Sequence, residues 1–132
     1  MIRILIVSSE NNFAASLFSI LKDRNGVEVL RSESGNKGLS MIRDRDFHLV
    51  IADENLNDMT GLEFAKKLVS ANPLINQAIA SSLSHDEFHE ASEGLGILMA
   101  LPPEPGEVHV NRLLEYLQNI LRQTIGDRTT AR

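Results

Sequence analysis

The sequence predicts an α/β protein built on a doubly wound parallel sheet. Three observations carry this. Short β-branched and aliphatic runs recur along the chain, each is followed by an amphipathic segment, and this strand–helix unit repeats five times in 132 residues. Strands that alternate with helices pair in parallel, because a crossover helix returns the chain to the same end of the sheet. Right-handed crossovers then place helices on both faces.

Ile2–Val7 is a continuous aliphatic run, the pattern of a strand covered on both sides. Asn11–Asn25 follows as a helix with Phe13, Leu17, Ile20 and Leu21 on one stripe, and Gly26 sits at its stop. Val27–Arg31 is the second strand, and Asn36–Arg45 is a helix with Leu39, Met41 and Ile42 inward. His48–Ala52 is the third strand and Asp53–Met59 a loop. Thr60 and Glu63 have the spacing of a capping box, and the helix they open runs to about Ala71, before Asn72-Pro73. Gln77–Ser82 is the fourth strand. Ser84 and Glu87 form a second capping box, and Gly94 and Gly96 close its helix. Ile97–Leu101 is the fifth strand and Pro102–Gly106 a rigid turn. The last helix, about Glu107–Arg122, carries Val110, Leu113, Leu114, Leu117, Ile120 and Leu121. Residues 1–122 read as one domain, and 123–132 as a flexible tail or the start of a linker.

Composition bounds the function. Hydrophobic residues make up 42% and charged residues 23%, ordinary for a globular domain with its own core. No cysteine is present, so there is no disulfide framework, thiolate metal site or cysteine nucleophile, which suits a reducing cytoplasm. The start lacks a secretory pattern, and nowhere do about 18 consecutive apolar residues occur, so no membrane span is expected. Net charge is −5, and the last eleven residues carry +2, leaving −7 on the rest. Such a body repels phosphate backbones, so nucleic acid is not an expected partner.

In doubly wound sheets ligands bind at the carboxyl ends of the strands. The residues there are Ser8, Ser9 and Glu10 after strand one, Asp53 after strand three, Ser81 and Ser82 after strand four, and Leu101 and Pro102 after strand five. A lone aspartate at a strand end is most often a helix cap or loop acid. Here it ends an apolar strand, with Gly61 eight residues on.

On these residues the sequence resembles the receiver domain of bacterial two-component response regulators, over about Met1 to Leu121. The resemblance implies a flavodoxin-like sheet with strand order 2-1-3-4-5 and five helices. It makes Asp53 the phosphoacceptor position and Asn55 the residue whose backbone carbonyl serves a metal. It makes Ser81 the position that reports phosphorylation and Pro102 the proline after strand five, commonly cis. It also implies an interaction face on helix four, strand five and helix five, here Leu98, Val108, Val110 and Tyr116, suited to a homodimer or a signalling partner.

The departures are specific. The two acids that hold Mg²⁺ in receivers are Ser8 and Ser9, the lysine before the proline is Leu101, and the aromatic switch position is Leu98. Asn57 stands where a proline is expected, and the stretch from Ser81 to Leu101 is about two residues short. Two carboxylates and one ammonium are gone, so both the metal's anchors and the phosphate's counter-cation are missing. Weak or no Mg²⁺ binding is expected. The leading expectation is a pseudo-receiver that acts through a histidine kinase or output partner without Asp phosphorylation, and not an enzyme. The competing readings are a true phosphoacceptor with a metal site rebuilt from Glu10, Asp53 and Asp58, and a flavodoxin-like small-ligand binder.

Other signals are weaker. His85 and His89 stand at i and i+4, a spacing that chelates zinc, but a solvated helix face explains them better. His48 and His109 read as surface residues. No Gly-x-Ser-x-Gly elbow supports a serine nucleophile, and no glycine-rich phosphate loop follows strand one.

Overall fold

The structure, a computed structural model, describes residues 1–130, and of 123–130 the backbone alone. Five strands alternate with five helices: β1 (Ile2–Val7), α1 (Asn11–Leu21), β2 (Val27–Ser32), α2 (Gly35–Asp44), β3 (Leu49–Ala52), α3 (Gly61–Ala71), β4 (Asn76–Ala80), α4 (His85–Ala91), β5 (Ile97–Leu101) and α5 (Glu107–Thr130). The strands form one parallel sheet in the order β2-β1-β3-β4-β5. This is the architecture and strand order expected of the sequence.

The continuous apolar run of β1 has its reason in the layers. Ile4 and Ile6 face one core, with Phe13 and Leu17 of α1 and Leu113 and Leu117 of α5. Leu5 and Val7, alternate residues of the same strand, face the other, with Ile42 of α2 and Phe64 and Leu68 of α3. A strand with a period of two has no solvent side when both faces are covered. A third cluster is much smaller: Ala65, Ile79 and Leu95 are buried, and Phe88 of α4 packs against them.

Both capping boxes form. Thr60 Oγ1 accepts from the Glu63 amide and Glu63 Oε1 accepts from the Thr60 amide; Ser84 and Glu87 do the same for α4. Three boundaries differ from the sequence reading by more than one residue. α1 ends at Leu21, where a turn closed by the Arg24 amide on Leu21 O leads to Gly26 at φ 76°. β4 closes at Ala80, although the Ser81 amide still donates to Leu101 O. The backbone of α5 continues past Arg122 to Thr130. One glycine, Gly126, costs a helix about 1 kcal/mol and does not have to end it. Residues 131–132 of the expected tail lie outside the described residues.

The edge pair β4–β5 is irregular. Gln77 pairs with Ile97 but Ala78 pairs with Met99, so Leu98 is the extra residue of a register shift. The shift lets both Leu98 and Met99 pack against the α1–α5 core.

Candidate functional site

The loops at the carboxyl ends of β1, β3, β4 and β5 form the site. β3 is the middle strand of the sheet, and its neighbours place Asp53 at the end of a wholly buried run, Leu49–Ala52. The Asp53 amide continues the ladder by donating to Val7 O (2.9 Å). Its side chain has two partners. Oδ1 accepts from the Glu54 amide at 2.7 Å, and Oδ2 accepts from the Ser8 hydroxyl at 3.1 Å. Ser8 is fully buried and also shapes the β1–α1 loop: its Oγ accepts from the Glu10 amide and lies 3.0 Å from Glu10 O. Its one proton is therefore divided between a carbonyl and the carboxylate.

Burial pushes the Asp53 carboxyl above the ordinary carboxylate range. The bonds from Glu54 and Ser8 work against this, and the nearby charges of Glu10 and Glu54 add to it. A cavity of about 360 Å³ beside Asp53 is lined by Glu10, Phe13, Pro103 and Glu104, so its charged wall is acidic.

The remaining site residues are not drawn together. Ser9 and Ser81 make no hydrogen bond to Asp53; Ser81 Oγ instead accepts from the Leu83 amide (3.1 Å). Asn55 is exposed and bridges antiparallel to Thr60. Leu101 is 1% exposed and sits in the α1–α5 core, turned away from the site. The expected cis bond at Pro102 is absent, and the chain leaves β5 in trans. Trans is the default at such bonds by about 0.5–1 kcal/mol, and Leu101 is already seated inward. Gly61 is required sterically, since a Cβ there would collide with the Asp53 carbonyl oxygen.

The rebuilt metal set does not assemble. Asp58 is spent on α2, its two oxygens accepting from the Gly35 and Asn36 amides at 2.9 Å each. Those bonds, that from Asn36 first, hold its carboxyl below the ordinary range. It caps the start of α2 and is not available to a metal with Asp53. Among the described residues no group of three or more His, Asp or Glu converges as a metal would require. The donors facing Asp53 are a neutral hydroxyl and an amide, a poor match for a cation that prefers carboxylates.

Sequence reasoning missed two contributors. Glu54 accepts from the Ser82 amide at 2.7 Å and from its hydroxyl at 3.0 Å, joining the β3–α3 loop to the β4–α4 loop. Arg31 donates to Ser8 O and Asn11 Oδ1 (3.1 Å each), tying β2 to the β1–α1 loop. Two acids in sequence at a strand end were a usable sign for Glu54; nothing in the sequence pointed to Arg31. His48 and His109 each do more than face solvent: their Nδ1 atoms accept from the Arg3 and Gly106 amides.

The expected interaction face divides. Val108 and Tyr116 are exposed, at 69% and 43%. Val110 is fully buried, because it shares the three- and four-residue stripe of Leu113, Leu114 and Leu117 that faces the sheet. Leu98 is partly buried by the register shift.

A parallel 2-1-3-4-5 sheet with an aspartate at the end of its middle strand defines a class of signalling domain. A family model described as the response regulator receiver domain matches residues 4–101, and the chain belongs to that family. It is 32% identical over 113 residues to a response regulator receiver protein of Anaeromyxobacter sp. (strain Fw109-5), which covers 86% of this chain and 46% of that protein. It is 30% identical over 86 residues to the transcriptional regulatory protein ZraR of Escherichia coli O157:H7, covering 65% of this chain and 19% of that protein. The chain thus spans less than half the length of either relative. Among solved structures, a CheY-like receiver domain protein from Methanospirillum hungatei JF-1 superposes with a TM-score of 0.81 at 23% identity, covering 93% of this chain and 98% of that one. A two-component response regulator from Legionella pneumophila gives 0.75 at 23% identity, covering 90% and 99%. These likenesses concern the fold. Among the described residues no helix is long and apolar enough to cross a membrane.

Proposed function

We propose that this receiver domain acts as a protein-interaction module of cytoplasmic two-component signalling, without Mg²⁺-dependent phosphorylation of Asp53 and without catalysis of its own. One observation carries the reading: the Asp53 carboxylate is met by a buried serine hydroxyl and a backbone amide, with two further acids nearby and no cationic side chain bonded to it. Phosphoryl transfer to a carboxylate adds negative charge to a negative group. It relies on metal and cation to neutralise that charge. Here the neighbours add to it. The partner is a histidine kinase or an output domain or protein. Val108 and Tyr116 offer it apolar surface on α5, which also suits a homodimer.

The test is a titration with beryllofluoride and Mg²⁺, followed by the amide NMR shifts of Asp53 and Ser81. No saturable shift is expected. Large saturable shifts would overturn the reading. The combined variant Ser8→Asp, Ser9→Asp, Leu101→Lys restores the acids and the cation and is expected to gain the response. If that variant folds and stays silent, the assignment of those three positions fails.

A further inference from the structure

We propose that Glu54 is a latch: a carboxylate built into the site that holds the β4–α4 loop, so that the position of α4 depends on this one side chain. The first support is the weakness of everything else that holds α4. Its seven residues include none that is buried, and the hydrophobic cluster beneath it has three buried members. Its capping box is local, joining Ser84 to Glu87 within the helix start, and fixes no neighbour. The short loop before it, Ser81 to Ser84, is mostly exposed.

The second support is the geometry of the grip. Glu54 Oε2 accepts from the Ser82 amide at 2.7 Å, and both its oxygens lie 3.0 Å from the Ser82 hydroxyl. A carboxylate taking an N–H and an O–H from one residue makes charge-assisted bonds, roughly twice as strong as neutral ones. Glu54 is itself anchored at both ends of its backbone: its amide donates to Asp53 Oδ1, and its carbonyl accepts from the Gly61 amide at the start of α3. The latch therefore runs from the end of the middle strand straight to the loop that carries α4.

The third support is that the loop has somewhere else to go. A cavity of about 280 Å³ lies against it, lined by Thr60, Leu62, Ile79, Ala80 and Leu83 as well as Glu54. Leu83 is 40% exposed, an apolar side chain beside an apolar hollow. Without the grip of Glu54, burying Leu83 in that hollow draws the loop inward and carries α4 with it.

The inference concerns the same region as the proposed function but does not need Asp53 to be silent. Hydrogen exchange on the protein without Mg²⁺ or beryllofluoride tests it separately. In Glu54→Ala the Ser82 amide and the amides of α4 are expected to exchange about tenfold faster or more, the range lost with a bond to a charged group. Amides of β1 and β3 should keep their rates, which establishes that the fold is intact. Glu54→Gln keeps an acceptor without the charge and should fall between. Ser82→Ala keeps the amide bond and should have the smallest effect on α4. Unchanged exchange at Ser82 and α4 in Glu54→Ala overturns the latch, as does a larger effect on α4 from Ser82→Ala than from Glu54→Ala.

Discussion

α3 and α4 start with the same local device and are held to the sheet very differently. Each opens with a hydroxyl residue followed three positions later by glutamate, and each closes both reciprocal bonds of the capping box. α3 then buries Gly61, Phe64, Ala65 and Leu68, while α4 buries no residue at all. The sequences explain why. Within Gly61–Ala71 the apolar residues recur at helical spacing, whereas His85–Ala91 has one large apolar side chain, Phe88, among two histidines and three acids. The capping box says where a helix begins. How firmly the helix is held is decided by the stripe that follows.

The comparison breaks most readily at its two phenylalanines. Phe64 is fully buried between α3 and the sheet, and Phe64→Ala should destabilise the domain by about 3–5 kcal/mol in a urea titration. Phe88 is partly exposed over the smallest cluster, and Phe88→Ala should cost about 1 kcal/mol. Equal losses would mean that α4 is as well anchored as α3. The glycines sharpen the contrast at a smaller scale. Gly61→Ala drives a methyl into the Asp53 carbonyl and against Ile79 Cγ2 at 3.0 Å, and should cost about 1–3 kcal/mol. Gly94 closes the α4 end at φ +81° with open space around it, so Gly94→Ala should cost only the backbone strain, about 1 kcal/mol.

The same division governs what the sequence disclosed. The strand–helix order, the buried runs of β1 and β3, and both helix starts were legible, because propensity, periodicity and capping are local. The placement of Ser8, Asp53 and Leu101 at strand ends was legible because strand ends are fixed by the topology. What stayed hidden depends on contacts between distant segments. Val110 belongs to the buried side and not to the expected interaction face, because an apolar stripe does not declare which of its members meet the sheet. The register shift at Leu98 comes from how β5 meets β4. The capping role of Asp58 stayed hidden because the amides that donate to it lie more than twenty residues away, at Gly35 and Asn36. Glu54 stayed hidden for the same reason: its partner Ser82 belongs to another loop.

Two carboxylates carry the smallest effects, with opposite dependence on pH. The bonds from Asn36 and Gly35 lower the pKa of Asp58 in the folded state. Its contribution is present above the ordinary carboxylate pKa of about 4 and is lost as pH falls through the lowered folded value. Asp58→Ala should therefore cost about 1 kcal/mol at neutral pH, and progressively less in acid.

Asp53 runs the other way. Burial raises its pKa in the folded state, so the native protein holds that proton more tightly than the unfolded chain does. The stability this gives is present below about pH 4 and is lost as pH rises through the raised value. At neutral pH an ionised Asp53 opposes the fold, because burial strips its charge of water and nothing bonded to it carries a positive charge. Asp53→Asn keeps an acceptor for Ser8 and removes the charge. Its melting temperature should exceed that of the natural sequence at pH 7, and the difference should shrink toward pH 4. Millimolar Mg²⁺ should leave both melting temperatures unchanged. A rise with Mg²⁺ in the natural sequence that Asp53→Asn lacks would mean that the acids around Asp53 do hold a cation. Asp53 would then belong with the well-anchored half of the molecule as a working acceptor, and the β4–α4 loop would have a phosphoryl group to answer to as well as Glu54.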